Sequence, residues 1–286
     1  MKSLLTLCLN LFVAGSVFDI EANSNINRTI NHNNFPVLIA QIQTSVSPLI
    51  QSGKNFLSLE QYELESIMEI TGDIPGRSFI SDAKIKTIVE APNKFNSQIA
   101  FVSPNGLEGK SYKIISDGDL VWIYDFATNQ YSVSELRQFL QTREGLLAGT
   151  LSYFYLNTRN NIGSSKIIAS FLAKLPEDRL LRYFQRYNKL NLQNSVIKNE
   201  TINDKTYQVY DIDALDRGFQ VKAFVNPQEN SIERIHLSGT KDGLELASQE
   251  RVTNLTIPES ISPETFVFIP PDEAEQVEQQ ITIAPF

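Results

Sequence analysis

From Tyr62 to Val133 the sequence follows a period of two with one interruption, which restricts the fold more than any other feature. Tyr62, Leu64, Ser66, Met68 and Ile70 share one face, while Glu63, Glu65 and Glu69 share the other. This is the pattern of a strand with one dry side and one wet, acidic side. Further strand segments are expected at residues 79–90, 94–103, 110–116, 120–126 and 130–133. The links between them are short and rich in turn formers: Asp73-Ile74-Pro75-Gly76, Ala91-Pro92-Asn93, Pro104-Asn105-Gly106, Asp117-Gly118 and Thr128-Asn129. Links this short leave no room for crossovers, so consecutive strands pair as an antiparallel meander.

One segment breaks the alternation. Leu120 to Tyr124 is an unbroken apolar run that includes the chain's single Trp, so both faces of this strand must be covered. Asp119, Val121, Ile123 and Asp125 share one parity, and Leu120, Trp122, Tyr124 and Phe126 the other. The flanking aspartates favour the first set as the outer face, with the larger apolar residues lining the concavity.

Before the meander, Leu38, Ile39, Ile42, Val46, Leu49 and Ile50 recur at helical spacing within residues 36–57, with Pro48 placed to kink or end that helix. After it, Ser132 and Glu135 have capping-box spacing, and Leu136, Phe139, Leu140, Leu147, Leu151 and Phe154 form one helical stripe. Gly145 and Gly149 weaken the middle of this block, residues 157–163 break it, and further helices are expected at 165–174 and 177–189. The period of two then returns at 195–202, 206–212, 218–226, 231–238 and 244–254, for about eleven strands in all. The helical block is too amphipathic to stand alone and most simply covers the sheet. One strongly curved antiparallel sheet under helices accounts for this order, and two packed β-sheets would as well.

The first residues, MKSLLTLCLNLFVAGSV, carry one Lys and then an apolar run too short to span a bilayer, followed by small residues. Residues 1–22 read as an export signal, with cleavage after Ser16 or after Ala22; an uncleaved anchor or a buried apolar segment is the plainer alternative. Residues 23–35 read as a flexible Asn-rich leader, 36–278 as a single domain and 279–286 as a tail. The only cysteine, Cys8, lies in the apolar run, which excludes a disulfide framework and thiol chemistry from the mature chain. A net charge of −8 gives no general attraction for nucleic acid.

The catalytic inventory is thin. His32 and His236 are the only histidines, and no metalloprotease, nucleophile-elbow, phosphate-loop or dinucleotide motif occurs. Asp211, Asp213 and Asp216 cluster near a strand end, where a solvated turn is the simpler reading. No catalytic residue, metal or cofactor is expected, and the chain does not read as an enzyme. Arg179, Arg182, Arg186 and Lys189 recur along one side of a helix whose other side carries Leu180, Leu181, Phe184 and Tyr187. Such a face is either solvated or lies on an anionic membrane surface.

Three stretches resemble the LolA-like superfamily, the fold of the periplasmic carriers of bacterial lipoproteins. Residues 117–125, Asp-Gly-Asp-Leu-Val-Trp-Ile-Tyr-Asp, continuing to Asn129-Gln130, are similar to its central hairpin. Val89 to Asn96, with Pro92-Asn93-Lys94-Phe95-Asn96, is similar to its strand entry, and Phe266-Val267-Phe268-Ile269-Pro270-Pro271-Asp272 to its closing segment. Residues 196–212, with Asn203-Asp204-Lys205-Thr206-Tyr207 at the turn, resemble exported members of the superfamily other than the carrier itself.

The resemblance implies a mainly β fold with α: a strongly curved antiparallel sheet forming an unclosed β-barrel, an N-terminal helix and a central helical lid at about residues 134–190. It implies a periplasmic protein that holds lipid acyl chains or a lipidated protein against the sheet, or a non-transporting module that binds an envelope protein in stress sensing. The residues it nominates for a hydrophobic ligand are Leu64, Met68, Phe95, Phe101, Leu120, Trp122 and Tyr124 on strands, and Leu136, Phe139, Leu140, Leu147 and Phe154 on the lid. One departure is local: the carrier has Arg before the strand-entry Pro, and this chain has Ala91.

Overall fold

The computed structural model of the protein describes residues 35–74, 77–102, 108–142, 144–162, 171, 174–180, 191–214, 219–241 and 244–284, with side chains described from Val46 onward except at 73–74, 77–78, 108, 161–162, 191–194, 213–214, 219, 240–241 and 244–246. The export signal, most of the leader, and Arg182, Arg186 and Lys189 of the basic face lie outside the described residues.

Helix α1 (Phe35–Leu57) precedes six strands: β1 (Gln61–Ile74), β2 (Arg77–Glu90), β3 (Lys94–Val102), β4 (Glu108–Ser116), β5 (Leu120–Asp125) and β6 (Gln130–Glu135). Three helices with described bounds follow, α2 (Leu136–Phe139), α3 (Glu144–Leu147) and α4 (Thr150–Ile162). Five more strands come after them, β7 (Asn191–Ile202), β8 (Lys205–Ala214), β9 (Phe219–Asn226), β10 (Ser231–Lys241) and β11 (Leu244–Thr256). The two-residue β12 (Glu275–Gln276) closes the chain.

All twelve strands belong to one sheet, in the order β12-β6-β5-β4-β3-β2-β1-β11-β10-β9-β8-β7. The sheet is curved and does not close, and every pairing is antiparallel except β12 on β6. The two meanders join where β1 pairs β11, a long-range contact that sets Met68 opposite Glu250 and Ile70 opposite Ser248. The turn between β7 and β8 needs two residues in the left-handed region, and Asn203 (φ 50°) and Asp204 (φ 62°) supply them.

The covered face is apolar from β5 to β8. Val121 and Ile123 (β5), Ile114 (β4), Phe95 and Ile99 (β3), Ile85 and Val89 (β2), Leu64 and Met68 (β1), Ile235 (β10), Val225 (β9) and Tyr210 (β8) fall in a single cluster. Val46, Ile50 and Leu57 of α1 and Leu151, Tyr155 and Leu156 of α4 belong to the same cluster, so helices form the cover. Pro48 lies inside α1 without ending it, and the Pro48 carbonyl accepts the Ser52 hydroxyl at 2.7 Å.

Four local expectations differ from the structure. Ser132 is not a helix cap: residues 130–135 stay in the strand, Glu135 occupies the cap position without a side-chain bond, and the Ser132 hydroxyl accepts the Ile281 N–H at 2.9 Å. The stripe from Leu136 to Phe154 is divided among three short helices, with Gly149 at φ 99° before α4. That helix then continues through Asn157 to Ile162, because Tyr155 and Leu156 bury its apolar side against the sheet and tertiary packing overrides the weak local propensity. Finally, residues 279–284 are not a tail. Ile283 is buried in the main cluster, and the Tyr112 hydroxyl donates to the Ala284 carbonyl at 3.0 Å.

Candidate ligand-binding face

The structure gathers nine of the twelve nominated residues on the covered side. Leu64, Met68, Phe95, Phe101, Leu136, Phe139, Leu140 and Leu147 are buried in the main cluster, and Phe154 packs against it half-buried. Phe95 stacks on Phe139 at 5.8 Å, tying β3 to the first lid helix.

Leu120, Trp122 and Tyr124 are on the opposite face, so the parity expected for β5 is reversed. Val121 and Ile123 point into the cluster, whereas Leu120 is 38 % exposed and Phe126 53 % exposed. Trp122 and Tyr124 are covered by the C-terminal segment: Phe268 stacks on Trp122 at 6.1 Å and meets Tyr124 at 6.4 Å and Tyr131 at 5.2 Å. Asp125 misled the assignment because it is buried for a local reason, its carboxylate accepting the Ala127 N–H at 2.8 Å in an Asx turn. Asp119 belongs to the turn before β5, and its exposure carries no information about the strand that follows.

The remaining outer face mixes charged side chains with apolar ones, including exposed Ile80 and a small cluster of Tyr207, Val209 and Phe224. Lys86 lies 3.4 Å from both Glu63 and Glu65. A trough of about 680 Å³ runs over Ile67, Lys84, Gln98, Ala100 and Ser111, with Phe126 at its rim. On the far strands, Glu233 accepts Lys205 Nζ at 2.6 Å, Asn226 Nδ2 at 3.0 Å and the Tyr207 hydroxyl at 3.0 Å. Burial alone would raise this carboxyl, and the three donors outweigh it, leaving Glu233 below the usual range. Asp211 and Asp213 lie within β8 rather than in the solvated turn expected of them, Asp211 pairing with Lys222 at 3.2 Å, and Asp216 lies outside the described residues. His236 lies half-buried 4.5 Å from the Phe224 ring, its pKa lowered by burial and then by Arg234 and Lys222. Among the described residues, no group of three His, Cys, Asp or Glu side chains is arranged to hold a metal ion.

Four charged residues are buried among the described residues, Asp125, Glu144, Arg159 and Glu250, and the two most enclosed, Arg159 and Glu250, concern α4. Glu250 of β11 is 2 % exposed. It accepts the Ser66 hydroxyl at 2.7 Å and the Leu151 N–H at 3.1 Å, with the Thr150 N–H and hydroxyl also directed at it. It therefore caps the N-terminus of α4 from a strand a hundred residues away in sequence, and burial pushes its carboxyl up despite those donors. Arg159, in the last turn of the same helix, is 1 % exposed and sits over the Tyr155 ring at 5.6 Å. Phe56, Tyr62 and Tyr155 form an aromatic wall beside it, with centroids 5.1 to 5.6 Å apart. The Tyr62 hydroxyl bonds Ser152 Oγ at 3.2 Å. The Tyr155 hydroxyl donates to the Leu59 carbonyl at 2.6 Å, and burial pushes its pKa up to about 12 against the pull of Arg159.

Neither charged residue was singled out from the sequence, although the pattern carried a signal for each. Arg159 follows Leu151 and Tyr155 at four-residue steps on the apolar stripe, and Glu250 alternates with Val252 on the covered face of β11. A charge at a position that periodicity assigns to the core is the mark of a cap, a pair or a site.

The fold and this face define a class: a single curved, unclosed β-sheet covered by helices. No protein-family model matches the chain, and none of the curated proteins compared matches it. Solved structures similar to it include members of the LolA superfamily. An uncharacterized conserved protein from Thermus thermophilus is 11% identical, over 83% of this chain and 100% of that one, with a TM-score of 0.41. A LolA superfamily protein from Nitrosomonas europaea is 12% identical, over 78% and 97%, with a TM-score of 0.30. LprF from Mycobacterium bovis is 10% identical, over 78% and 97%, with a TM-score of 0.37. Likenesses this distant assign neither ligand nor partner.

Proposed function

We propose that this is an exported, non-enzymatic envelope protein of the bacterial periplasm that binds a hydrophobic ligand, lipid or lipidated protein, between the covered face of its sheet and the helices. The observation that carries the reading is the cover itself. A largely apolar face from β5 to β8, interrupted by Ser66, Thr87, Ser97 and Glu250, is roofed by separate helices rather than by a second sheet, and helices can part from a sheet without breaking its ladder. The local resemblance at residues 89–96, 117–130 and 266–272 points the same way. An acyl chain gains about 0.8 kcal/mol per buried CH₂, on the order of 10 kcal/mol for a long one, so affinity needs no catalytic or metal centre. Native mass spectrometry of protein purified from its source should show co-purifying lipid, lost on delipidation with a fall in melting temperature. A ligand-free spectrum together with a melting temperature unmoved by delipidation would sink the reading.

The outer trough favours a second reading, an interaction module that docks a protein partner on the face away from the helices. Capture of one stoichiometric protein partner, without lipid and abolished by Phe126→Asp, would support it over the first.

A further inference from the structure

Arg159 is the largest fully buried side chain of the described protein. Nε, Nη1 and Nη2 are all without a hydrogen-bond partner among the described residues. A buried guanidinium costs several kcal/mol unless an anion and hydrogen bonds compensate it. The compensation on hand is weak: the Tyr155 ring at 5.6 Å, the Tyr155 hydroxyl, which is close enough for Arg159 to pull on its pKa but donates its proton to Leu59, and the negative end of α4, whose last turn contains Arg159.

Glu250 caps the opposite end of α4, Glu177 accepts the Ser47 hydroxyl at 2.7 Å, and Glu60 is exposed, its charge reaching the Tyr155 hydroxyl; none of the three is hydrogen-bonded to Arg159. The N–H groups of Arg159 form a planar fork suited to two oxygens of one carboxylate or phosphate. Beside the fork stands the wall of Phe56, Tyr62 and Tyr155, which would flank the first methylenes of a chain attached to such a group.

We infer that Arg159 is the anchor for an anionic head group, a carboxylate or a phosphate ester, of an amphiphile whose chain lies under the helices. This rests on the hydrophobic-ligand reading above and adds the polarity and location of the head. The guanidinium is closed to water, so the anion reaches it beneath the cover, as the chain does.

The test compares oleate, oleyl phosphate and oleyl alcohol on the delipidated full chain by titration calorimetry. Wild type should bind at least one of the two anions tenfold or more tighter than the alcohol, and whichever anion wins identifies the head group as carboxylate or phosphate. Arg159→Met should abolish that preference while leaving alcohol affinity within about twofold, and Arg159→Lys should keep part of it. Without ligand, Arg159→Met should melt at or above the wild-type temperature, since it removes an unpaired buried charge; a purely structural arginine would give a marked fall. Equal binding of anions and alcohol by wild type overturns this inference and leaves the hydrophobic-ligand reading standing. Binding of none of the three overturns both. The wild-type comparison decides the matter even if Arg159→Met does not fold, and Arg159→Gln then serves as the second variant.

Discussion

Replacing Glu250 by Ala tests whether the helical cover is held from the sheet. The carboxylate accepts the Ser66 hydroxyl at 2.7 Å and the Leu151 N–H at 3.1 Å, and the Ser66 side chain is 3 % exposed, so water cannot substitute for it. Loss of a helix cap costs about 1 kcal/mol, and each buried donor left unsatisfied about 1–3 kcal/mol. The Leu151 N–H is itself the capped donor, so two donors at about 2 kcal/mol each put the total at about 4 kcal/mol. At roughly 2–4 °C per kcal/mol for chains of this size, the melting temperature should fall by about 10 °C. Glu250→Gln keeps one acceptor in place and should lose about 1 kcal/mol. The two variants also differ from wild type in pH dependence. Burial raises the folded-state carboxyl above the ordinary 4.5, so the folded protein binds this proton more tightly than the unfolded chain. The Glu250 contribution therefore improves as pH falls through the folded pKa and levels off below 4.5, where both states are protonated. Thermal melts followed by circular dichroism across that range should show this slope in wild type and its absence in Glu250→Gln. A Glu250→Ala protein melting within about 1 °C of wild type would refute the capping argument, and an unchanged slope in Glu250→Gln would refute the pH argument.

Three further substitutions probe the sheet and its two covers. Val121→Asp buries a charge at a fully enclosed site and should cost at least about 4 kcal/mol, whereas Leu120→Asp, one residue earlier on the other face, should stay within about 0.5 kcal/mol; chemical denaturation compares them. Phe268→Ala removes contacts to three rings, about 2–3 kcal/mol in all, and should red-shift the fluorescence of the single Trp, Trp122, as water reaches it. Gly149→Ala sets a Cβ 3.0 Å from Glu250 Oε1 at a φ of 99°, and should cost about 1–3 kcal/mol by the same denaturation assay.

Most of the sheet was legible because strand signals are local. The period of two and the Asn, Asp, Gly and Pro turns fixed the strands within a few residues, as at β1, where Leu64 and Met68 face the core and Glu63, Glu65 and Glu69 do not. β5 shows the limit of that logic. Both of its faces are covered, so alternation vanishes, and the residue that covers the second face, Phe268, comes from more than a hundred positions later. Size and flanking charge then decided the parity, and decided it wrongly, since Val121 and Ile123 face the core while the bulkier Trp122 meets a strap. The closing segment was visible as a motif, but its place on the sheet is a long-range fact with no local signal. Residues 279–284 read as a tail for the same reason: Ile281 and Ile283 are too few to make a periodic pattern, yet they pack against the core.

The two interior charges break the apolar pattern in the same way and call for different explanations. Glu250 sits where alternation requires an apolar residue, and each donor around it accounts for its presence: a hydroxyl from β1 and the amide end of α4. Removing it breaks bonds already made, so its role is structural and is exhausted by the fold. Arg159 breaks the helical stripe just as plainly, and the fold answers it with a ring face and no acceptor among the described residues. An apolar side chain of similar size at that position would spare the protein the cost of an unpaired charge, so packing alone does not explain the arginine. What explains it must bring its own negative charge and travel with apolar surface, because the approach lies under helices against an apolar sheet. A buried charge that is satisfied therefore marks how this cover is fastened, and one that is not marks where the ligand's head belongs.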